Sequence, residues 1–282
     1  MLRAALVRPK LTHNLAEVFY MWLLILEGLA IGCLLGLTGA GGGILAVPAL
    51  MASQGWTVAQ AAPVGLLAVT LSAFVGTIQS FIQKIVRYRA ALWIALISIP
   101  SAHYGVKLSH IVPSVWLSLA FSAVMFIVAY RIFSKKVTEF DNPPCKINQD
   151  TGRFIWNAKT ATVLGGVGVV AGLLTGLLGV GGGFIIVPAL RKVSELDMRS
   201  IVATSLMIIF LVGGLSISIH VLEGFQYPAD VTITFVIACI IGLLIGRQLI
   251  NSIPNTVVQK IFAVVVLCVA SYMLISSVLQ LN

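Results

Sequence analysis

From Gly28 to Gln83 the chain carries no charged residue, and the same holds from Thr160 to Leu190 and from Ile261 to Asn282. About 20 apolar residues in a helix cross the hydrocarbon layer of a bilayer, so stretches of this length read as membrane spans. Composition agrees: 59% of the 282 residues are hydrophobic and 10% are charged, against about 25% charged in a soluble domain. The reading is an all-α polytopic membrane protein surrounded by lipid. Arg3, Arg8 and Lys10 look like a charged leader, but a full-length first span follows without a small-residue cleavage site, so no cleavable signal peptide is expected. The net charge of +9 lies in short polar segments between spans, where topology places it, and not in one patch. No nucleic-acid partner is expected.

Inside those stretches one element occurs twice. Gly36–Leu50 reads GLTGAGGGILAVPAL, and Gly176–Leu190 reads GLLGVGGGFIIVPAL, 140 residues later. Glycine costs roughly 1 kcal/mol relative to alanine inside a helix. A triplet kept twice therefore suggests a use for open backbone. At the same offset Val64-Gly65-Leu66 aligns with Thr204-Ser205-Leu206. Gly105 and Pro113 align with Gly246 and Pro254 one residue further on.

The chain thus reads as a duplicated four-span unit, with about eight transmembrane helices plus two short glycine-led pieces that are broken or re-entrant. Spans are expected near Val18–Leu37, Val58–Ile82, Ala90–Val106 and Val112–Phe133, then Thr160–Leu178, Ser200–Ile219, Ala229–Ile245 and Thr256–Leu279. The short pieces are Ile44–Ala52 and Phe184–Leu190. Residues 1–17 form an amino-terminal arm, 18–133 the first repeat, 134–159 a polar linker and 160–282 the second repeat. If the short pieces do not cross, the repeats are parallel. The arm, the Lys84–Arg89 loop and the linker then share the cytoplasmic side, with both termini inside an inner-membrane protein. If they do cross, each half has five spans and the repeats are inverted. Lysine and arginine placement favours the parallel arrangement.

A helix that stops within the membrane leaves carbonyl and amide groups that need partners, and such backbone lines protein or a wet cavity. Glycine exposes amides, and the following short helix would direct its positive end at the same spot. Gly39, Gly41, Gly42 and Gly43 would face Gly179, Gly181, Gly182 and Gly183 at mid-membrane as a paired anion receptor. Close packing through small residues would use the same glycines. Pro48 and Pro188 follow the triplets and would bend or weaken the short helices. Thr204 and Ser205 could donate hydroxyls to an oxyanion or bond back to their own helix, and Thr38 shares that ambiguity. Glu27, the one carboxylate well inside a span, is a candidate for proton coupling. His103 and His220 read as structural, and Arg247 and Lys107 as snorkelling cations.

Neither a cofactor nor a metal is called for. Cys33, Cys145, Cys239 and Cys268 match no zinc or redox spacing, and Cys145 is expected to be an exposed thiol. A dinucleotide fingerprint would need glycine at Ile44 or Phe184, and no Walker A sequence is present.

The two GxxGxGGGxxxVPAL elements, the ATSL at Ala203–Leu206 and the glycine–proline spacing resemble the TauE/SafE family of membrane permeases, over Trp22 to Leu279. That resemblance implies a bacterial or archaeal inner-membrane exporter of a small sulfur-containing anion, sulfite or an organosulfonate. Val64-Gly65 departs from Thr204-Ser205, so a hydroxyl contribution carries over for one half only. Thiosulfate, a carboxylate or a non-transporting assembly role are the alternatives. An intramembrane enzyme would need a carboxylate pair, a histidine cluster or a nucleophile with its base, and the spans offer none. An oligomer is compatible with the chain.

Overall fold

The computed structural model describes residues 10–39, 41–133, 144–147, 154–179, 182–222, 224–249 and 255–279. Ten helices follow in order: α1 Lys10–Thr38, α2 Gly41–Gln54, α3 Val58–Ile82, α4 Tyr88–Ile111, α5 Ser114–Phe133, α6 Ala158–Leu178, α7 Gly183–Val193, α8 Met198–Leu222, α9 Ala229–Leu249 and α10 Asn255–Leu279. Eight are long and two, α2 and α7, are short and glycine-led. Seven of the long ones are long and apolar enough to cross a membrane over their described residues, and α5 is apolar over Val115–Tyr130. The protein is an all-α polytopic membrane protein.

Local chemistry sets several boundaries. The Gln60 Oε1 accepts a hydrogen bond from the Thr57 amide at 3.0 Å and starts α3. Gly39 and Gly179 end α1 and α6 in left-handed conformations, at φ +69 and +66. Their amides close on the carbonyls of Leu35 and Thr175, at 2.8 and 2.9 Å. A residue with a Cβ is strained in that region, so glycine is the stop signal.

Packing exchanges helices between the halves. α1 lies along α9, and α4 lies along α6. Gly28, Gly32 and Gly36 seat α1 on α9, where an added Cβ would collide with the Ala238 side chain, the Cys239 carbonyl and the Leu243 carbonyl in turn. Gly168, Gly172 and Gly176, each 140 residues on, do the same for α6 against Ile94, Ser98 and Ala102 of α4. Such small-residue faces let helices approach closely enough for main-chain contact. Ser98 adds a hydrogen bond from its Oγ to the Gly168 carbonyl at 2.8 Å. The long helices α3 and α8 cross at the centre: Thr70 packs on Gly213, Phe74 stacks near Phe210 at 4.8 Å, and Gly76 meets Leu206.

These contacts fix helix directions. The Cys145 amide donates to the Val193 carbonyl, the Arg87 amide to Thr204, and Arg247 to Ser80. The α3–α4 loop, the described linker, the α7–α8 junction and the end of α9 therefore share one end of the bundle, called here the linker end. At the other, far end, Ala59, Ser109, Leu117, Gly179 and His220 meet around one cavity. Gly39 packs on Val202 at the linker end, so α1 and α6 finish at opposite ends. The expected parallel repeats are corrected to inverted ones. α2 turns back along α1, with Gly42 against Ile31 and Ser53 beside Glu27, and delivers the chain to the far end where α3 starts. At 1.5 Å per residue its 14 residues span about 21 Å, too short to be recognised as a full span from length alone.

Two buried clusters form the core. One joins α1, α2, α3, α5, α9 and α10 and takes in Leu178 of α6, Phe184 of α7 and Val202, Leu206 and Ile209 of α8. The other joins α4, α6, α7 and α8 with Cys145 and Phe154 of the linker. Cys145 is thus buried, not the exposed thiol expected; Cys268 on α10 is the exposed one. Burial pushes the Cys145 thiol pKa up, opposed by Thr160 and Lys159.

Candidate functional site

The first glycine break sits at the linker end, in a sealed setting. Ser205, fully buried, lies with its Oγ 2.9 Å from the Gly39 carbonyl and 2.8 Å from the Val202 carbonyl, so one hydroxyl proton serves both acceptors. Thr204, also buried, accepts the Arg87 amide at 3.1 Å. Thr38 donates to the Leu34 carbonyl at 2.7 Å. A Cβ on Gly42 would collide with the Ile31 carbonyl, and one on Gly39 with Val202. Gly41 and Gly43 open the first turn of α2.

The second break lies at the far end. Gly182 holds φ +61 and caps α7, which starts at Gly183. A Cβ there would meet Thr175 and Ala171, and one on Gly179 would meet Ala62. Gly181 lies outside the described residues. Here the break opens on a cavity of about 170 Å³, lined by Pro63, Ser109, Gly179, His220 and Phe225 among others. His220 is 8% exposed, and its Nδ1 lies 2.8 Å from the Ser216 carbonyl. A carbonyl only accepts, so Nδ1 carries the proton and Nε2 is the ring's other functional atom.

The expected face-to-face receptor is not assembled. Gly39 touches the first turn of α8 at Val202, and Gly179 shares its cavity with His220 in the last turn. Eighteen residues of helix separate those contacts by about 27 Å. Close approach and left-handed backbone account for glycine at positions 39, 42, 179 and 182. Pro48 and Pro188 lie within α2 and α7, which continue through them. Glu27 is half-buried on α1 beside Ser53, at the opposite end of α2 from Gly39, and its Oε2 is buried without a hydrogen-bond partner.

Two residues set aside from sequence are placed beside the breaks. Arg247 does not snorkel outward. Its Nη1 donates to the Gly76 carbonyl at 2.9 Å and to Ser80 Oγ at 2.8 Å, beside the Gly36 turn of α1. By the 140-residue offset Gly76 and Ser80 correspond to Ser216 and His220. Ser80, which receives the Arg247 guanidinium at the linker end, thus has the imidazole of His220 as its counterpart at the far end. The signal was present in that offset, but only the alignment of Ser80 with His220 exposes it. Among the described residues no cluster of three metal-ligating side chains occurs.

A family model described as sulfite exporter TauE/SafE matches residues 24–273. A protein of Xylella fastidiosa strain Temecula1 named "Probable membrane transporter protein" is 26% identical over 252 residues, covering 88% of this chain and 92% of its own. YjnA of Bacillus subtilis strain 168, with the same designation, is 27% identical, covering 86% of this chain and 96% of its own. YunE of that strain is 28% identical over 214 residues, covering 72% and 78%. No solved structure matches.

Proposed function

The chain belongs to the sulfite exporter TauE/SafE family, and from that premise we propose that it is a secondary transporter exporting a small anion, sulfite or an organosulfonate, across the inner membrane. The carrying observation is the asymmetry of the two breaks. At the first, Ser205 bonds the Gly39 carbonyl. At the second, Gly179 faces a cavity of about 170 Å³, and the counterpart of Ser205 is Gly65, which has no hydroxyl. That volume is comparable to about six waters at roughly 30 Å³ each, enough for a small oxyanion with part of its hydration. Inverted repeats that exchange conformations would open the breaks alternately, the first towards the linker end and the second towards the far end. In this conformation the substrate occupies the far-end cavity, with His220 Nε2 and the open backbone of Gly179 as its polar neighbours. Arg247, Thr204 and Ser205 serve the linker-end half of the cycle, and Glu27 couples protons. The activity is transport and not catalysis.

The charge pattern supports an orientation. The linker end carries Lys84, Arg87, Arg89, Lys146, Lys159, Arg191, Lys192, Arg199 and Arg247, while the far end carries Lys107 and the start of α1 at Lys10, with Arg3 and Arg8 preceding it in the sequence. The linker end is then cytoplasmic and both termini lie outside, since the earlier expectation of cytoplasmic termini rested on parallel repeats.

Transport by purified protein in liposomes tests the site. Labelled sulfite should move down its gradient, and His220→Gln should slow it about tenfold, as expected for losing one buried polar contact to the anion. Sulfite flux equal to wild type in His220→Gln would remove the far-end cavity from the path. Absence of flux for sulfite, sulfonates, thiosulfate and carboxylates alike, with a stoichiometric partner co-purifying, would replace transport by an assembly role.

A further inference from the structure

A second, larger cavity of about 380 Å³ opens at the linker end between the α3–α4 loop and the linker segment from Phe154 to Trp156. Among the described residues its wall contains Lys84, Arg87 and Arg89 with the aromatic rings of Phe81, Tyr88 and Trp156, and no carboxylate. The Arg87 Nε is buried and has no hydrogen-bond partner, while its main-chain amide is held by Thr204. A guanidinium fixed by its backbone, with a buried donor left over, is set to receive an acceptor from outside the chain. The cavity also lies at the depth where α3 ends and α4 begins, the boundary between acyl chains and headgroups. Phe81 and Tyr88 in its wall are 46% and 41% exposed, and Ile82, next to Phe81 in the chain, is 75% exposed, an apolar and aromatic surface of the kind that meets lipid at the interface.

We propose that this cavity binds the phosphate headgroup of an anionic phospholipid, with the acyl chains lying along the exposed end of α3. Three cations gathered in one wall select a phosphate bearing net negative charge over a zwitterionic headgroup. The adjoining apolar surface distinguishes a lipid from a free anion, because a soluble phosphate gains nothing from Phe81 and Ile82. The site is separate from the far-end cavity and stands whatever the transported anion proves to be.

The full chain, purified and delipidated in a neutral detergent, is offered phosphatidylglycerol, phosphatidylcholine with the same acyl chains, or inorganic phosphate. Retained lipid is read by native mass spectrometry and thermal stability by its midpoint. Phosphatidylglycerol should be retained and raise the midpoint, and phosphatidylcholine and inorganic phosphate should do neither. Each of Arg87→Gln and Arg89→Gln should weaken phosphatidylglycerol binding about fivefold, and Lys146→Gln, a cation on the same face outside the cavity, should leave it unchanged. Should Arg87→Gln fail to fold, the exposed Arg89→Gln and Lys84→Gln carry the same expectation. Equal retention of the two lipids, or wild-type affinity in the Arg89→Gln and Lys84→Gln variants, overturns the site. A midpoint shift from inorganic phosphate as large as that from phosphatidylglycerol overturns the lipid assignment and makes the cavity a soluble-anion site.

Discussion

Ser205 shows how one hydroxyl can decide the state of a broken helix. Gly39 ends α1, its carbonyl turns away from the helix, and Ser205 on the opposite repeat supplies the donor. Replacing a buried donor leaves the acceptor unsatisfied, which costs on the order of 1 kcal/mol or more. Ser205→Ala should therefore lower the unfolding midpoint by a few degrees in detergent, roughly the shift that 1 kcal/mol causes in a chain of this size. It should also favour the conformation open at the linker end. A midpoint equal to wild type would mean that the Val202 carbonyl, and not Gly39, is the partner that counts. The sequence left the Ser205 hydroxyl to a ligand or to its own helix; it does bond back to Val202, but its second acceptor is a carbonyl 166 positions away that nothing local reveals. Arg247 was hidden for the same reason: its acceptors, Gly76 and Ser80, come from another helix, and a cation near a span end reads as snorkelling until they are known.

At the level of elements, the helices were legible and their pairings were not. α3 spans Val58–Ile82, matching its expected range, because an apolar run bounded by Thr57 and the Lys84 turn leaves little choice. The 14 residues of α2 were ambiguous, since a piece that short fits either a re-entrant loop or a crossing helix. Direction was settled by Gly32 and Gly172, whose stripes seat α1 on α9 and α6 on α4, contacts between opposite repeats that no periodicity within one helix reports. This assigns glycine two separable roles. Gly172→Val would drive a side chain into the Ser98 backbone and should destabilise by at least about 1–3 kcal/mol, the usual range for overpacking. Gly166, on the same helix, has nothing within 4 Å of an added Cβ, and Gly166→Ala should stabilise by about 0.5–1 kcal/mol. Thermal melts of the two variants side by side decide it, and equal midpoints would remove the close-packed α4–α6 seam. The same logic makes Gly42→Val a poor probe of transport, since its Cβ meets the Ile31 carbonyl and the fold fails first.

For the whole molecule, inversion of the repeats changes what the charges mean. In a parallel arrangement the basic loops divide between the two faces, and the amino-terminal arm tips the balance towards cytoplasmic termini. In the inverted arrangement the α3–α4 loop, the linker and the α7–α8 junction meet at one end, as the Arg87–Thr204 and Cys145–Val193 hydrogen bonds require. Nearly all loop lysines and arginines then lie on one face, opposed by Lys107 and the short arm. Positive charge near helix ends is retained in the cytoplasm, so in the proposed orientation the three cations of residues 3–10 are outweighed and both termini lie outside. An exporter oriented this way has the Ser205 seal on its loading side and the His220 cavity on its release side. Reporter fusions to the full chain test the orientation directly. A carboxy-terminal alkaline phosphatase should be active and a carboxy-terminal green fluorescent protein dark, while an epitope inserted between positions 134 and 143 should stay inaccessible to antibody until the cells are permeabilised. A fluorescent carboxy-terminal fusion with inactive phosphatase would place the termini inside, and the far-end cavity would become the loading site.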